Sequence, residues 1–254
     1  MASPSKGTER SPTGIEGLDE ILQGGVPVGN TVLLAGTCGT GKTTACFEIL
    51  CRGASAGDCG AIFSTLEAPD RSITNFRNYE FFDESHVKDG MLLVRDLGDI
   101  YKELGIAHPD TGLSIDDASK LIHAIAKVVD DHKVKRLVID SLTSICGHIE
   151  KRERIRTFMR EFSRTFAPRG VTSYLVSEIS PGEHKYSSYG VEDVLTDGVI
   201  LFSNLETRGD LLRTVQVIKM RGTSHSRSRY VMDLTPYGMV LVPVLKSYSK
   251  AWGE

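Results

Sequence analysis

The chain has 254 residues and a formal net charge of −3 at pH 7, and 40% of its residues are hydrophobic and 25% charged. This ordinary globular composition suffices for one large α/β domain or two small ones, and the mild acidity gives no overall electrostatic reason to expect nucleic acid as a partner. Neither a run of about 18 apolar residues nor an apolar leader segment is present, so the sequence predicts a cytoplasmic protein without membrane contacts.

The first 30 residues contain one predicted helix. Residues 1–10 are polar and are expected to form a disordered tail. A short helix is predicted from about residue 15, because Ile15, Leu18, Ile21 and Leu22 share one helical face. A glycine-rich turn then ends this helix and leads into a buried strand.

A phosphate-binding loop is predicted at residues 36–43, which read G-T-C-G-T-G-K-T. An apolar run precedes it and a helical pattern follows it, and strand, glycine-rich loop and helix in this order bind a nucleoside triphosphate. Lys42 is predicted to contact the β- and γ-phosphates as a catalytic cation, and Thr43 is predicted to offer its hydroxyl to Mg²⁺. The predicted nucleotide contacts in this segment are Gly36, Thr37, Cys38, Gly39, Thr40, Gly41, Lys42, Thr43 and Thr44.

The five cysteines are Cys38, Cys46, Cys51, Cys59 and Cys146. Their odd number and the lack of C-x-x-C spacing argue against a zinc site and against a secreted disulfide framework. Reduced thiols are therefore predicted. Cys38 lies inside the phosphate loop, where the positive potential of the helix terminus could make its thiol oxidisable, and this is kept as a hypothesis.

Two carboxylates are predicted at strand ends beside the phosphate loop. Glu67 ends a predicted strand over 61–66 and is well placed to orient a water against the γ-phosphate, or alternatively it is an N-terminal acid of the helix predicted over 70–78. Asp140 ends the buried β run of residues 137–139 in the Walker-B pattern. Asp140 is predicted to hold Mg²⁺ together with Thr43.

The middle of the chain alternates strand and helix patterns. A strand is predicted over 91–95, and the poorly patterned segment 96–114 is interpreted as a loop insertion. A helix capped by Ser114 is predicted over 115–132. A basic amphipathic helix is predicted over 150–168, and its arginines are interpreted as a solvated face rather than a nucleic-acid patch.

The last third predicts an antiparallel extension of the sheet. A strand over 171–178 places Ser177 and Glu178 at its tip, where they could sense the γ-phosphate. Short strands then follow at 199–202, 212–219, 229–234 and 239–242, with turns at 206–210 and 236–238.

Four segments together resemble the KaiC branch of the RecA-like ATPases. They are T-G-I-E-G-L-D (13–19) with G-G-V-P-V-G (24–29), the phosphate loop, S-T-L-E (64–67), and Y-G-V-E-D-V-L-T-D-G (189–198) followed by K-M-R-G-T-S-H (219–225). Residues 219–225, which are highly specific to this branch, are called the finger segment below. The resemblance implies an α/β RecA-like P-loop NTPase domain over 11–246, with a central mostly parallel sheet flanked by helices and a C-terminal antiparallel β extension. Residues 247–254 are expected to be a tail.

The resemblance also implies a ring, usually a hexamer, with ATP at the subunit interfaces. Lys219, Arg221, Thr223 and His225 of one subunit would approach the triphosphate on the neighbour's Lys42. Cations at positions i and i+2 share one face of a strand. Lys219 and Arg221 could therefore reach together into the nucleotide site of the neighbouring subunit, as arginine and lysine fingers in trans.

The predicted activity is slow, Mg²⁺-dependent ATP hydrolysis that drives a switch in signalling or regulation, with ATP and Mg²⁺ as cofactors. The expected partners are further copies of the chain and an unidentified regulatory protein. Ala68 follows Glu67 where members of the family often have a second glutamate, and Asp193 and Val194 stand where some domains of the family phosphorylate themselves. Autokinase activity is therefore not expected. Two alternatives stay open, a recombinase-like DNA-binding ATPase and a nucleotide-sensing scaffold with negligible hydrolysis.

Overall fold

The computed structural model describes residues 8–65, 67–106, 113–147, 149, 151–179, 186–207 and 209–243. Its strands are β1 (Arg10–Ser11), β2 (Val26–Pro27), β3 (Thr31–Gly36), β4 (Gly60–Ser64), β5 (Leu92–Asp96), β6 (Arg136–Asp140), β7 (Thr172–Glu178), β8 (Gly198–Thr207), β9 (Asp210–Met220), β10 (Arg229–Thr235) and β11 (Gly238–Pro243). Its helices are α1 (Leu18–Ile21), α2 (Lys42–Ser55), α3 (Pro69–Phe76), α4 (Ser85–Lys88), α5 (Leu97–Glu103), α6 (Ile115–His132), α7 (Leu142–Gly147), α8 (Arg152–Phe166) and α9 (Glu192–Leu195), with a 3₁₀ turn at Ala167–Arg169. Residues 1–7 of the tail predicted over 1–10 lie outside the described residues, as does the tail predicted over 247–254.

Strands β3 to β11 form one sheet in the order β11-β10-β9-β8-β3-β7-β6-β4-β5. Neighbouring strands from β8 to β5 are parallel, and β9, β10 and β11 continue the sheet in antiparallel pairing. Parallel strands separated by helices build an α/β domain. The predicted mostly parallel sheet with a C-terminal antiparallel extension is confirmed.

The sheet separates two apolar layers. Successive side chains of a strand point to opposite faces, so β3 contributes Val32 and Leu34 to one layer and Leu33 and Ala35 to the other. Helices α1 and α2 cover the first layer, and α5, α6, α7 and α8 cover the second. None of the described helices has the length and apolar content needed to cross a membrane.

A buried carboxylate joins helix α2 to the antiparallel extension. Glu48 is 1% exposed, and it accepts a hydrogen bond of 2.7 Å from the Met239 backbone N–H. Its other oxygen lies 3.3 Å from the guanidinium of Arg52. Burial raises the pKa of Glu48, and the Met239 hydrogen bond and Arg52 oppose that shift. Gly238 has a φ of 133°, and a Cβ there would overlap Glu48, so this turn requires glycine.

The helix predicted over 115–132 is confirmed as α6, with the Ser114 hydroxyl accepting a hydrogen bond of 3.1 Å from the Asp117 N–H. The interpretation of 96–114 as a loop is wrong at its start, where α5 spans Leu97–Glu103. The Asp96 carboxylate caps this helix by accepting a bond of 2.7 Å from the Gly98 N–H. Residues 107–112 of that segment lie outside the described residues.

Two further segments differ from expectation. Residue 10 was predicted in a disordered tail, but Arg10 begins β1 and pairs with Pro27 of β2. The turn predicted over 206–210 is tighter, because Thr207 of β8 still pairs with Asp210 of β9. Helix α7 has no counterpart among the predicted elements.

Candidate functional site

The phosphate loop connects β3 to α2 at the carboxyl edge of the parallel strands. The glycines at 39 and 41 have φ values of 75° and 94°, in the left-handed region that favours glycine. A Cβ on Gly36 would overlap the backbone oxygen of Phe202 on β8. The loop therefore needs glycine at these three positions.

Lys42 begins α2 and folds its side chain back into the loop. Its Nζ donates hydrogen bonds of 2.9 Å to Gly36 O and 2.7 Å to Thr37 O, and the residue is 6% exposed. Burial lowers the pKa of Lys42, and the carboxylates of Glu178 and Asp140 oppose that shift. The ammonium group is thus enclosed by the residues that would surround a phosphate.

Thr43 and Asp140 meet directly, although they are far apart in sequence. The Thr43 hydroxyl donates a hydrogen bond of 2.7 Å to Asp140 Oδ2. Asp140 is 4% exposed; burial raises the pKa of its carboxyl group, while the Thr43 hydrogen bond and the charge of Lys42 oppose the shift. A hydroxyl and a carboxylate side by side next to a phosphate loop are the oxygen donors that suit Mg²⁺.

Sheet register brings the other strand-end residues to the same edge. Ser64 at the end of β4 lies opposite Asp140 at the end of β6, and Glu178 at the end of β7 lies opposite Gly36. The Glu178 N–H donates a bond of 2.8 Å to the hydroxyl of Thr143 on α7. Helix α7, which the sequence did not predict, therefore supports the tip of β7.

Glu67 lines a cavity of about 430 Å³ that Thr43 and Asp140 also line. Its carboxylate accepts bonds of 2.7 Å from Asn75 Nδ2 and 2.9 Å from Ser72 Oγ. The side chains of Ser72 and Asn75 both come from α3, so Glu67 is bonded to this helix and also lines the cavity beside Thr43 and Asp140.

The finger segment lies at the opposite edge of the sheet, where the parallel strands begin. Lys219 near the end of β9 pairs with Val199 of β8, and Met220 pairs with Gly198, which lies beside Val32 near the start of β3. The phosphate loop begins at the other end of β3, about 16 Å away at a rise of about 3.3 Å per residue. Arg221 of one subunit cannot bridge that distance to the Lys42 of the same subunit.

The predicted finger residues differ in their contacts. The side chain of Arg221 is 62% exposed and lies 3.2 Å from the Asp197 carboxylate. The Lys219 ammonium donates to Val194 O at 3.4 Å, and burial, followed by the charge of Arg221, lowers the pKa of Lys219. The Thr223 hydroxyl accepts a hydrogen bond, and one ring nitrogen of His225 lies 3.2 Å from the backbone oxygen of Ser226.

Sequence reasoning missed one contact to the phosphate loop. Arg213 of β9 donates from Nε to Gly39 O at 3.2 Å, and it does so because β8 and β9 extend past the loop. Side chains of β10 and β11 also approach the loop, since a Cβ on Gly41 would lie 3.1 Å from Met232 Cε. A single arginine in an alternating strand carries no sequence signal for such a contact.

The chain was compared with families and known proteins. A family model described as "ATPase: KaiC" matches residues 11–246. A UPF0273 protein of Methanopyrus kandleri is 35% identical over 253 residues, which cover 97% of this chain and 96% of that protein. The circadian clock oscillator protein KaiC 1 of Synechocystis sp. is 30% identical over 246 residues, which cover 95% of this chain and 46% of that protein. The crystal structure of a KaiC-like protein from Pyrococcus horikoshii matches with a TM-score of 0.78 and 32% identity, covering 93% of this chain and 100% of that one.

Proposed function

We propose a function for this chain from one established premise: it belongs to the KaiC family of ATPases. The chain binds ATP with Mg²⁺ in the phosphate loop and hydrolyses it slowly. It assembles into a ring, as the family resemblance implies, and the bound nucleotide switches the ring between states that a regulatory partner distinguishes.

The contact between Thr43 and Asp140 carries the nucleotide-binding part of this proposal. These two oxygens would hold Mg²⁺ together with the phosphates, because a hydroxyl and a carboxylate are oxygen donors of the kind that Mg²⁺ prefers. The ion would neutralise charge on the β- and γ-phosphate oxygens. The buried ammonium group of Lys42 and the N–H groups of the loop would orient the same phosphates.

Hydrolysis depends on Glu67 in this proposal. Glu67 lines the same cavity as Thr43 and Asp140, where its carboxylate would orient a water toward the γ-phosphate. It also accepts bonds from Ser72 and Asn75, which occupy part of its capacity to accept a hydrogen bond from that water. Slow turnover follows.

The same contacts favour the alternative of a nucleotide-sensing scaffold. In that case Glu67 serves α3 alone, and nucleotide binding rather than turnover sets the state of the protein. Arg71 strengthens this alternative, because its Nε lies 3.1 Å from the Glu67 carboxylate.

A ring with sites between subunits is supported by the position of the finger segment. Arg221 and the phosphate loop lie at opposite edges of one sheet, so a head-to-tail contact would bring the Arg221 of one subunit to the loop of the next. Contacts of this heterologous kind close into rings when the rotation between neighbours closes, and otherwise they form open filaments. Arg221 and Lys219 would then stabilise charge that develops on the triphosphate.

The proposal is tested by measuring ADP formation and the mass in solution, with and without Mg²⁺-ATP, for wild type, Lys42→Ala and Glu67→Gln. We expect ATP to increase the mass of wild type but not of Lys42→Ala on its own, since none of its interfaces would then hold a nucleotide, and we expect Glu67→Gln to assemble while its rate falls by about 100-fold. If Glu67→Gln keeps the wild-type rate, the scaffold alternative is favoured. If neither ATP binding nor a change in mass depends on Lys42, the proposed function is wrong.

A further inference from the structure

The finger segment is held to the rest of its own subunit by side chains from outside it. The Arg221 N–H donates to Asp197 O at 2.9 Å, and Arg221 O accepts a bond of 3.2 Å from Asn30 Nδ2. The Arg221 guanidinium donates from Nη1 to Asp197 Oδ1 at 3.2 Å. Backbone and side chain of this residue are thus fixed together.

Arg10 holds the next two residues. Its guanidinium donates from Nη2 to Gly222 O at 3.2 Å and from Nη1 to the Thr223 hydroxyl at 2.9 Å. The same group also donates to Leu22 O at 3.0 Å and Gly25 O at 2.9 Å, so it ties the segment to the turn before β3.

Asp197 connects the finger segment to β3. Its second carboxylate oxygen accepts a bond of 3.0 Å from the Thr31 N–H, and its own N–H donates to Thr31 O at 2.8 Å. Thr31 is the first residue of β3, and Gly36 at the other end of that strand opens the phosphate loop. One carboxylate therefore contacts both the arginine offered to a neighbour and the strand that carries the subunit's own loop.

We propose that Asp197 is the positioning residue for Arg221: it fixes the guanidinium in the orientation in which it meets the triphosphate bound by the neighbouring subunit. This inference rests on the proposed function, because it requires Arg221 to act in trans.

The geometry leaves the arginine able to bind phosphate. Among the described residues Nη1 is the guanidinium atom with a hydrogen-bond partner, and the side chain stays 62% exposed, so Nε and Nη2 are left for phosphate oxygens. A long side chain loses conformational freedom when it is ordered, and Asp197 orders this one before the neighbour arrives. Such preorganisation matters most in the transition state, where the donors meet developing charge.

The test is a double-mutant cycle on the rate of ADP formation with Asp197→Asn, Arg221→Ala and the double variant. Asparagine keeps an acceptor for the Thr31 N–H but removes the charge that holds the guanidinium. We expect Asp197→Asn to lower kcat by about tenfold with little change in KM, which is less than the roughly 100-fold loss expected for Arg221→Ala. In the Arg221→Ala background Asp197→Asn should have no further effect, because two residues that act as a unit are not additive.

Asp130→Asn is the matched control, because it also neutralises an aspartate that pairs with an arginine. Asp130 pairs with Arg169 at 2.9 Å, and the hydrogen bonds of the Arg169 side chain go to Asp130 and Thr165 rather than to the finger segment. The control variant should keep the wild-type rate. If Asp197→Asn melts early, Asn30→Ala replaces it. This variant removes the amide bond to Arg221 O and a weak contact with the sulfur of Met220, and we expect a two- to threefold loss of kcat that also vanishes without Arg221.

The outcomes separate the two proposals. Suppose that Arg221→Ala lowers the rate and that Asp197→Asn lowers it by the same factor in the Arg221→Ala background as in wild type. Asp197 then does not act through Arg221, and the inference is overturned. If Arg221→Ala keeps the wild-type rate while Lys42→Ala does not, the finger in trans is wrong, and the inference fails with it although nucleotide binding stands.

Discussion

Two variants that are inactive alone should regain activity when they are mixed. Lys42→Ala removes the cation of the phosphate loop, and Arg221→Ala removes the proposed finger at the other edge of the sheet. About 16 Å of β3 separates the two positions within one subunit, so they can act on the same nucleotide only across an interface. A complete site forms where an Arg221→Ala subunit binds ATP and receives Arg221 from a Lys42→Ala neighbour.

The size of the recovery follows from the arrangement of the subunits. In an equal mixture, half of the phosphate loops belong to Arg221→Ala subunits, and half of their neighbours carry Arg221. About one quarter of the interfaces are then complete in a closed head-to-tail ring. We therefore expect about a quarter of the wild-type rate, against a loss of about 100-fold for each variant alone.

The assay mixes the two proteins without nucleotide, adds Mg²⁺-ATP and follows ADP. The control replaces Lys42→Ala with the double variant Lys42→Ala/Arg221→Ala, which assembles with the same partner but supplies no Arg221 side chain. This control mixture should show no recovery of activity. Light scattering shows whether mixed rings form. If they form but the mixture of Lys42→Ala and Arg221→Ala is no more active than the mean of its components, the argument from the two edges of the sheet is refuted.

Three further predictions concern stability, the phosphate loop and thiol chemistry. Arg136→Met should lower the free energy of unfolding by about 3 kcal/mol in urea titrations, because it removes a 2% exposed guanidinium that donates four hydrogen bonds to three protein oxygens. A loss below about 1 kcal/mol would contradict this. Arg213→Ala should weaken ATP binding two- to fivefold in calorimetry without a change in melting temperature, because it removes the hydrogen bond to Gly39 O of the phosphate loop. Unchanged affinity would show that this contact does not support binding. Iodoacetamide at pH 8 should modify the exposed Cys38 before the buried cysteines, and Mg²⁺-ATP should slow that modification. Burial raises the pKa of Cys51 to about 12, so Cys51 should react only on unfolding. Mass spectrometry identifies the modified cysteine in each case.

Local signals in the sequence identified the parts of the fold that depend on neighbouring residues. The glycine spacing of the phosphate loop located the end of β3 and the start of α2, and Ser114 located the start of α6. In each case the residues that determine the conformation lie within a few positions of the element, as capping and glycine turns require.

Helix α5 was missed although its signal was present. Leu97, Ile100 and Tyr101 are buried with the spacing of one helical face, and Asp96 caps them. The neighbouring glycine and aspartates suggested a loop instead, because these residues also favour turns. Helix α7 has only six residues, which is too short to show a period.

Contacts between distant segments could not be predicted from patterns. Arg10 looked like part of a polar tail, and its role depends on the pairing of β1 with β2 and on the path of the finger segment. Likewise the sequence placed Lys219 and Arg221 at a strand end, but which edge of the sheet that end occupies follows from the register of β8 with β3 and β9. The arrangement of these residues is a property of the sheet as a whole.

The carboxylate of Glu48 has a consequence for how the molecule loses its structure. It is 1% exposed on the helix that follows the phosphate loop, and the Met239 N–H is its backbone partner. Detaching β10 and β11 would break that bond and would also expose the apolar layer to which Met232, Met239 and Leu241 contribute. The antiparallel strands should therefore melt together with the parallel core in one cooperative transition. A chain shortened before residue 238 should not fold as a smaller ATPase.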